Sequence, residues 1–190
     1  MYEKEINFSK TPSDYSEFIC YSVYRLWHHK PCQGSQFIPA KELFPDFIKK
    51  TQRLLYQVSH WPLLHLALLY IAKLRVALPK NTTSEGSEYK ILVAALMLSF
   101  KFNSDKNIPN KYWALWSGLQ VQDTSLMEIE FFSCLDCKLF VKSSEYSIWK
   151  NSVSVLYQEY LVYKKVLDLQ SNKENDATSL PRLARPRTWK

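Results

Sequence analysis

The chain has 190 residues, enough for one ordinary domain with tails, and its 46% hydrophobic content excludes global disorder. Only three residues are glycine, against an average near 7%, which argues against glycine-rich phosphate loops, dinucleotide turns and turn-dense all-β folds. The net charge of +7 is spread out, with residues 1–40 neutral, 41–170 at +4 and 171–190 at +3, unlike the concentrated charge of a dedicated nucleic-acid domain.

The opening MYEKEINFSK is charged and has no apolar core, so no secretory leader is expected. The most apolar runs, 63–72 and 91–100, fall short of a membrane span and read as buried helices, so no membrane partner is expected. Free thiols at Cys20, Cys32, Cys134 and Cys137 and a nuclear or cytoplasmic location follow as expectations.

The first predicted helix, α1, covers 11–29. Thr11 can cap it, Pro12 suits its first position, and Phe18, Tyr21, Tyr24 and Trp27 follow. Residues 31–40 have a linker composition. Helix α2 begins near 42, with Leu43, Phe47, Ile48, Leu54, Leu55 and Val58 at helical spacing. Trp61-Pro62 opens α3, which ends at Pro79; residues 81–86 form a polar turn. Helix α4, about 87–102, is apolar on every face, and a helix of that kind must be surrounded by protein. It is the expected central rod. Helix α5 is short, 110–117, and Gly118 stops it. Helix α6 starts near Asp123-Thr124-Ser125, with Leu126, Met127, Ile129, Phe131, Phe132, Cys134 and Leu135 as its apolar residues. Helix α7 is expected over 143–168 and a flexible, basic tail over 170–190. The fold class is therefore all-α.

The stretch 87–141 then resembles the cyclin box, carried by AALMLSFKF, a loop with NKYW, and LMEIEFFSCLD with a short aliphatic exit. The Pcl class of fungal cyclins is the nearest form, and cyclin Y a more distant one. The resemblance implies a single five-helix box over 41–141 (α2 to α6), an N-terminal helix and linker over 1–40, an additional helix over 142–169 and the tail. It also implies a regulatory subunit that does no chemistry and needs no cofactor or metal. In that family the third and fifth box helices, here α4 and α6, press on the αC helix of a cyclin-dependent kinase. They favour the state in which the catalytic lysine–glutamate ion pair forms. The implied partner is a cyclin-dependent kinase of the phosphate-responsive fungal type, together with its substrates.

Two family positions fall on Lys101, in Ser99-Phe100-Lys101-Phe102, and Glu128, in Leu126-Met127-Glu128. The resemblance gives both a role as polar contacts to kinase backbone. Taken alone, Lys101 would complement a helix dipole, and Ser125-x-x-Glu128 would close a capping box. Helix α2 lacks the M-R-A-I-L-type run of a cell-cycle cyclin docking groove, so no such groove is expected.

Cys134-x-x-Cys137 lacks further ligands nearby and reads as two core thiols. His60 and His65 read as packing or capping residues. Lys173-Glu174-Asn175 has the form of a degradation signal read by the anaphase-promoting ubiquitin ligase, or is an ordinary polar tail. A second reading of the whole chain, a cyclin-fold transcription factor or scaffold, rests on the +7 charge and six tryptophans. Against nucleic acid as the partner, no helix shows a basic stripe in sequence.

Overall fold

A computed structural model describes residues 12–28, 44–58, 60–79 and 86–178, with the side chains at 12–15, 44 and 170–178 excepted. Seven helices and no strand occur among the described residues: α1 Pro12–His28, α2 Phe44–Val58, α3 Trp61–Ala77, α4 Glu88–Asn103, α5 Asn110–Ser117, α6 Val121–Cys134 and α7 Ser143–Thr178. The all-α expectation holds.

Helix α4 is the central rod. Residues Leu92 to Ser99 are all buried, and α4 packs against α1, α2, α3, α5 and α6. The closest partner is α3, whose Leu64, Ala67, Leu68, Ile71 and Leu74 are buried. Ser99 fits at this interface because its hydroxyl donates to Leu63 O at 2.7 Å, so a buried polar atom is satisfied without a gap. Pro62 lies in the first turn of α3, where its missing N–H costs nothing.

Helix α5 ends as expected. Gly118 takes φ +72°, and its N–H and that of Leu119 both reach Ala114 O, at 2.9 and 3.2 Å. A side chain at that φ would be strained, which is why glycine stops the helix there. Helices α1 and α7 pack together: Phe18 meets Tyr157 edge-on at 5.1 Å, and Glu17 accepts from Tyr160 Oη at 2.7 Å and Lys164 Nζ at 2.9 Å. Trp149 of α7 donates to His65 O at 2.7 Å and joins α7 to α3.

Three expectations change. Helix α6 starts at Val121, because Gln120 O already accepts Thr124 N–H at 2.9 Å and Thr124 Oγ1 at 2.7 Å. Ser125 is thus inside the helix, and the Ser125–Glu128 capping box does not form. Cys134 and Cys137 are exposed rather than core thiols. Helix α6 ends at Cys134, and the chain swings away through Asp136 (φ 52°) and Cys137 (φ 58°), both left-handed. Leu126 and Ile129 of the same helix are exposed.

The third change concerns the tail. The α7 backbone runs on to Thr178, so Lys173-Glu174-Asn175 lies on helical backbone instead of in a flexible tail. No glycine or proline interrupts 170–178, so nothing in the chain stops the helix at 169. The side chains of that triplet, along with Thr11, Cys32 and the 31–40 linker, lie outside the described residues.

Candidate functional site

The C-terminal end of α4 and the middle of α6 face each other across a polar pair. Lys101 lies in the last turn of α4 and Glu128 near the middle of α6. The Lys101 ammonium donates to Glu128 Oε1 at 2.7 Å and Oε2 at 2.8 Å. The side chains are 24% and 19% exposed, so the pair is partly shielded from water and open on one side. The two residues singled out in the sequence are therefore in direct contact.

Two further residues, Asn110 and Ser125, complete the network, and neither was assigned to it in the sequence, where Ser125 read as a capping partner of Glu128 and Asn110 as part of the NKYW segment. Asn110, the first residue of α5, accepts from Lys101 Nζ through Oδ1. Its Nδ2 donates to Glu128 Oε2 at 2.8 Å and to Ser125 Oγ at 3.0 Å. Pro109 fixes where α5 begins, with an extended backbone (φ −60°, ψ 151°). A polar residue opening both the short helix and the NKYW segment was the available signal. The network links α4, α5 and α6, and the lysine's place in a last turn adds favourable interaction with the helix dipole.

The surroundings are apolar. A cleft of about 320 Å³ is lined by Leu98, Lys101, Phe102, Glu128, Ile129, Phe132, Cys137 and Leu139. Phe102 is 52% exposed, Leu126 56% and Ile129 62%. Leu115 and Val121 are exposed too, but they border a separate cleft. Large apolar side chains left in water around a shielded charged pair have the make-up of a protein–protein contact, with polar anchors at its centre. Four donors and acceptors already fixed by one another need little reordering to meet a partner.

The other candidate residues do not join this site. His60 precedes α3, and only its carbonyl caps, accepting from Leu63 and Leu64 N–H at 3.1 Å each. His65 is buried beside Trp61 and Tyr146, at ring distances of 5.2 and 6.4 Å. Burial, with Lys150 adding to it, pushes its pKa down to about 4, so it packs as a neutral ring. Cys137 borders the cleft and Cys134 does not. No group of three metal-ligating side chains occurs among the described residues.

The fold and the site define a helical binding domain built around one apolar rod, with a contact face at the α4–α6 end. Residues 46–139 match the family model described as Cyclin, and that segment is a cyclin domain. The chain is similar to PHO85 cyclin-1 of Saccharomyces cerevisiae, 34% identical over 98 residues, 50% of this chain and 35% of that protein. It is similar to the G1/S-specific cyclin pas1 of Schizosaccharomyces pombe, 30% identical over 87 residues, 44% of this chain and 21% of that one. A third relative is Cyclin-U2-2 of Arabidopsis thaliana, 30% identical over 78 residues, 41% of this chain and 34% of that one. The matches thus span 21–35% of those relatives' lengths.

Proposed function

We propose that the chain is the regulatory subunit of a cyclin-dependent kinase of the phosphate-responsive fungal type, acting in the nucleus and cytoplasm. The observation that carries the reading is the Lys101–Glu128 pair set in an exposed apolar face. The printed names of two relatives, PHO85 cyclin-1 and PHO85 cyclin-5 of Saccharomyces cerevisiae, support the choice of kinase class.

The apolar residues of α4 and α6 take up the kinase's αC helix. Burying Phe102, Leu126 and Ile129 supplies most of the association free energy, since a fully buried large apolar side chain contributes roughly 1.5–3 kcal/mol. The polar pair sets orientation. The Lys101 protons are directed to two charged oxygens and to neutral Asn110 Oδ1. The bond to the neutral acceptor costs least to exchange, so a kinase carbonyl replaces Asn110. Glu128 keeps one unshared lone-pair site, on Oε1, for a kinase N–H. Binding that occurs only with αC inward stabilises the active kinase by the difference in affinity between its two states. The chain itself holds no catalytic group in this scheme.

The test is affinity purification of wild type beside Lys101→Ala/Glu128→Ala, with circular dichroism on both. Wild type should recover a cyclin-dependent kinase with histone-directed activity, and the folded double variant should not. Recovery of no kinase by wild type would move the function to DNA binding or scaffolding, to be followed by a salt-titrated DNA shift.

A further inference from the structure

The outward face of α2 is cationic over a single turn. Thr51, Leu54, Leu55 and Val58 point inward, which leaves Lys49, Lys50, Gln52, Arg53, Tyr56 and Gln57 exposed. Lys49 and Arg53 are four residues apart and therefore neighbours on one helix face. Neither forms an ion pair with a described residue. The carboxylate among these cations is Asp46, which accepts from Lys50 Nζ at 2.6 Å. The hydrogen bond from Lys50 is the main reason its carboxyl sits below the ordinary range, and the charges of Lys49 and Arg53 add to it. Three cations thus converge on one acid, and two charges are left over.

Beside this turn lies a cleft of about 220 Å³, lined by Tyr24, Phe47 and Tyr89 together with Asp46, Lys50, Gly86 and Glu88. Lys50 Nζ stands 5.9 Å from the centre of the Tyr89 ring. Phe47 packs on Tyr89 at the start of α4, whereas Lys101 lies in its last turn. At about 1.5 Å per residue the two surfaces are separated by roughly 20 Å.

We propose that the outward face of α2 docks an acidic peptide segment of another protein. Lys49 and Arg53 hold its carboxylates, and an apolar side chain of the same segment enters the Tyr24–Phe47–Tyr89 cleft. The Asp46 carboxylate marks where one ligand carboxylate can sit. Charge complementarity selects an acidic ligand, and two features favour peptide over nucleic acid. A single helical turn of cations is short for a phosphate backbone, which typically engages about 6–10 cationic contacts. The Tyr24–Phe47–Tyr89 walls of the cleft suit one apolar side chain, which a phosphate backbone does not carry. The proposal stands on its own geometry and does not depend on the kinase reading.

The experiment is fluorescence anisotropy on the full chain with a labelled oligoglutamate peptide carrying one central leucine. A single-stranded oligonucleotide of equal charge is the second probe. Wild type should bind the peptide more tightly than the oligonucleotide. Lys49→Glu/Arg53→Glu should weaken peptide binding by about tenfold, a sum of small exposed-pair terms. Lys49→Gln/Arg53→Gln, which keeps helix propensity, should lose less. Asp46→Asn should strengthen binding, and Lys101→Ala/Glu128→Ala should leave it unchanged. Circular dichroism and melting confirm that each variant is folded. No peptide binding by wild type, equal affinity in the folded charge-reversed variant, or tighter binding of the oligonucleotide would each overturn the proposal.

Discussion

Helices α4 and α6 are both rich in large apolar residues, yet the chain covers one and leaves the other half bare. Residues Leu92 to Ser99 of α4 are buried on all sides by five other helices. Along α6 only Thr124 and Phe131 are buried, while Leu126 and Ile129 face water. Apolar content therefore marks where protein must cover a helix without saying whose protein. For α4 the cover is the chain itself. For α6 it is the proposed kinase.

The largest effect should separate the two helices outright. Ala95→Asp places an unpaired charge at a fully buried site and should cost about 3–5 kcal/mol or more, enough to unfold the domain. Circular dichroism reads this directly, and a soluble, folded Ala95→Asp protein would contradict the central-rod assignment. The matching change on α6, Leu126→Gln/Ile129→Gln, keeps helix propensity at exposed sites. Its stability should stay within about 1 kcal/mol of wild type by thermal melting. Kinase capture, in contrast, should fall by about tenfold or more.

A third effect lies on the covered side of the molecule. His65 has a folded pKa of about 4 against 6.5 for the ordinary group, so the unfolded chain binds more protons between those values. Stability is then at its full value above pH 6.5 and is lost as pH falls toward 4, by at most about 1.4 kcal/mol per pH unit. Tyr146 and Lys150 of α7 face this ring, so acid should loosen α3 from α7 first. Denaturant titrations at several pH values should show this slope in wild type and a flatter one in His65→Gln.

The smallest effect on stability concerns the polar pair. Its partial shielding places it between exposed and buried ion pairs, so the Lys101–Glu128 coupling should be about 1 kcal/mol in a double-mutant cycle. A zero coupling with capture still lost would mean that the pair acts only on the partner.

The burial of α4 was legible because apolar residues on every face admit one explanation. The exposure of Leu126 and Ile129 was not, because periodicity cannot tell an interior from a partner's surface. Lys101 and Glu128 came from a family resemblance and proved to touch. The network roles of Asn110 and Ser125 were not legible, since bonds between separate helices leave no trace in local spacing. Cys137 was misplaced because two left-handed residues, Asp136 and Cys137, turn the chain after α6 without a glycine to signal it. The end of α7 was misjudged because a polar segment lacking glycine and proline can still be helix.

The most direct measurement is amide hydrogen exchange on the chain alone and with the captured kinase. The account predicts new protection at the end of α4, in α5 and along the first three turns of α6, with the outward face of α2 unchanged. Protection confined to α2 or α7, with α6 exchanging as in the free chain, would contradict it.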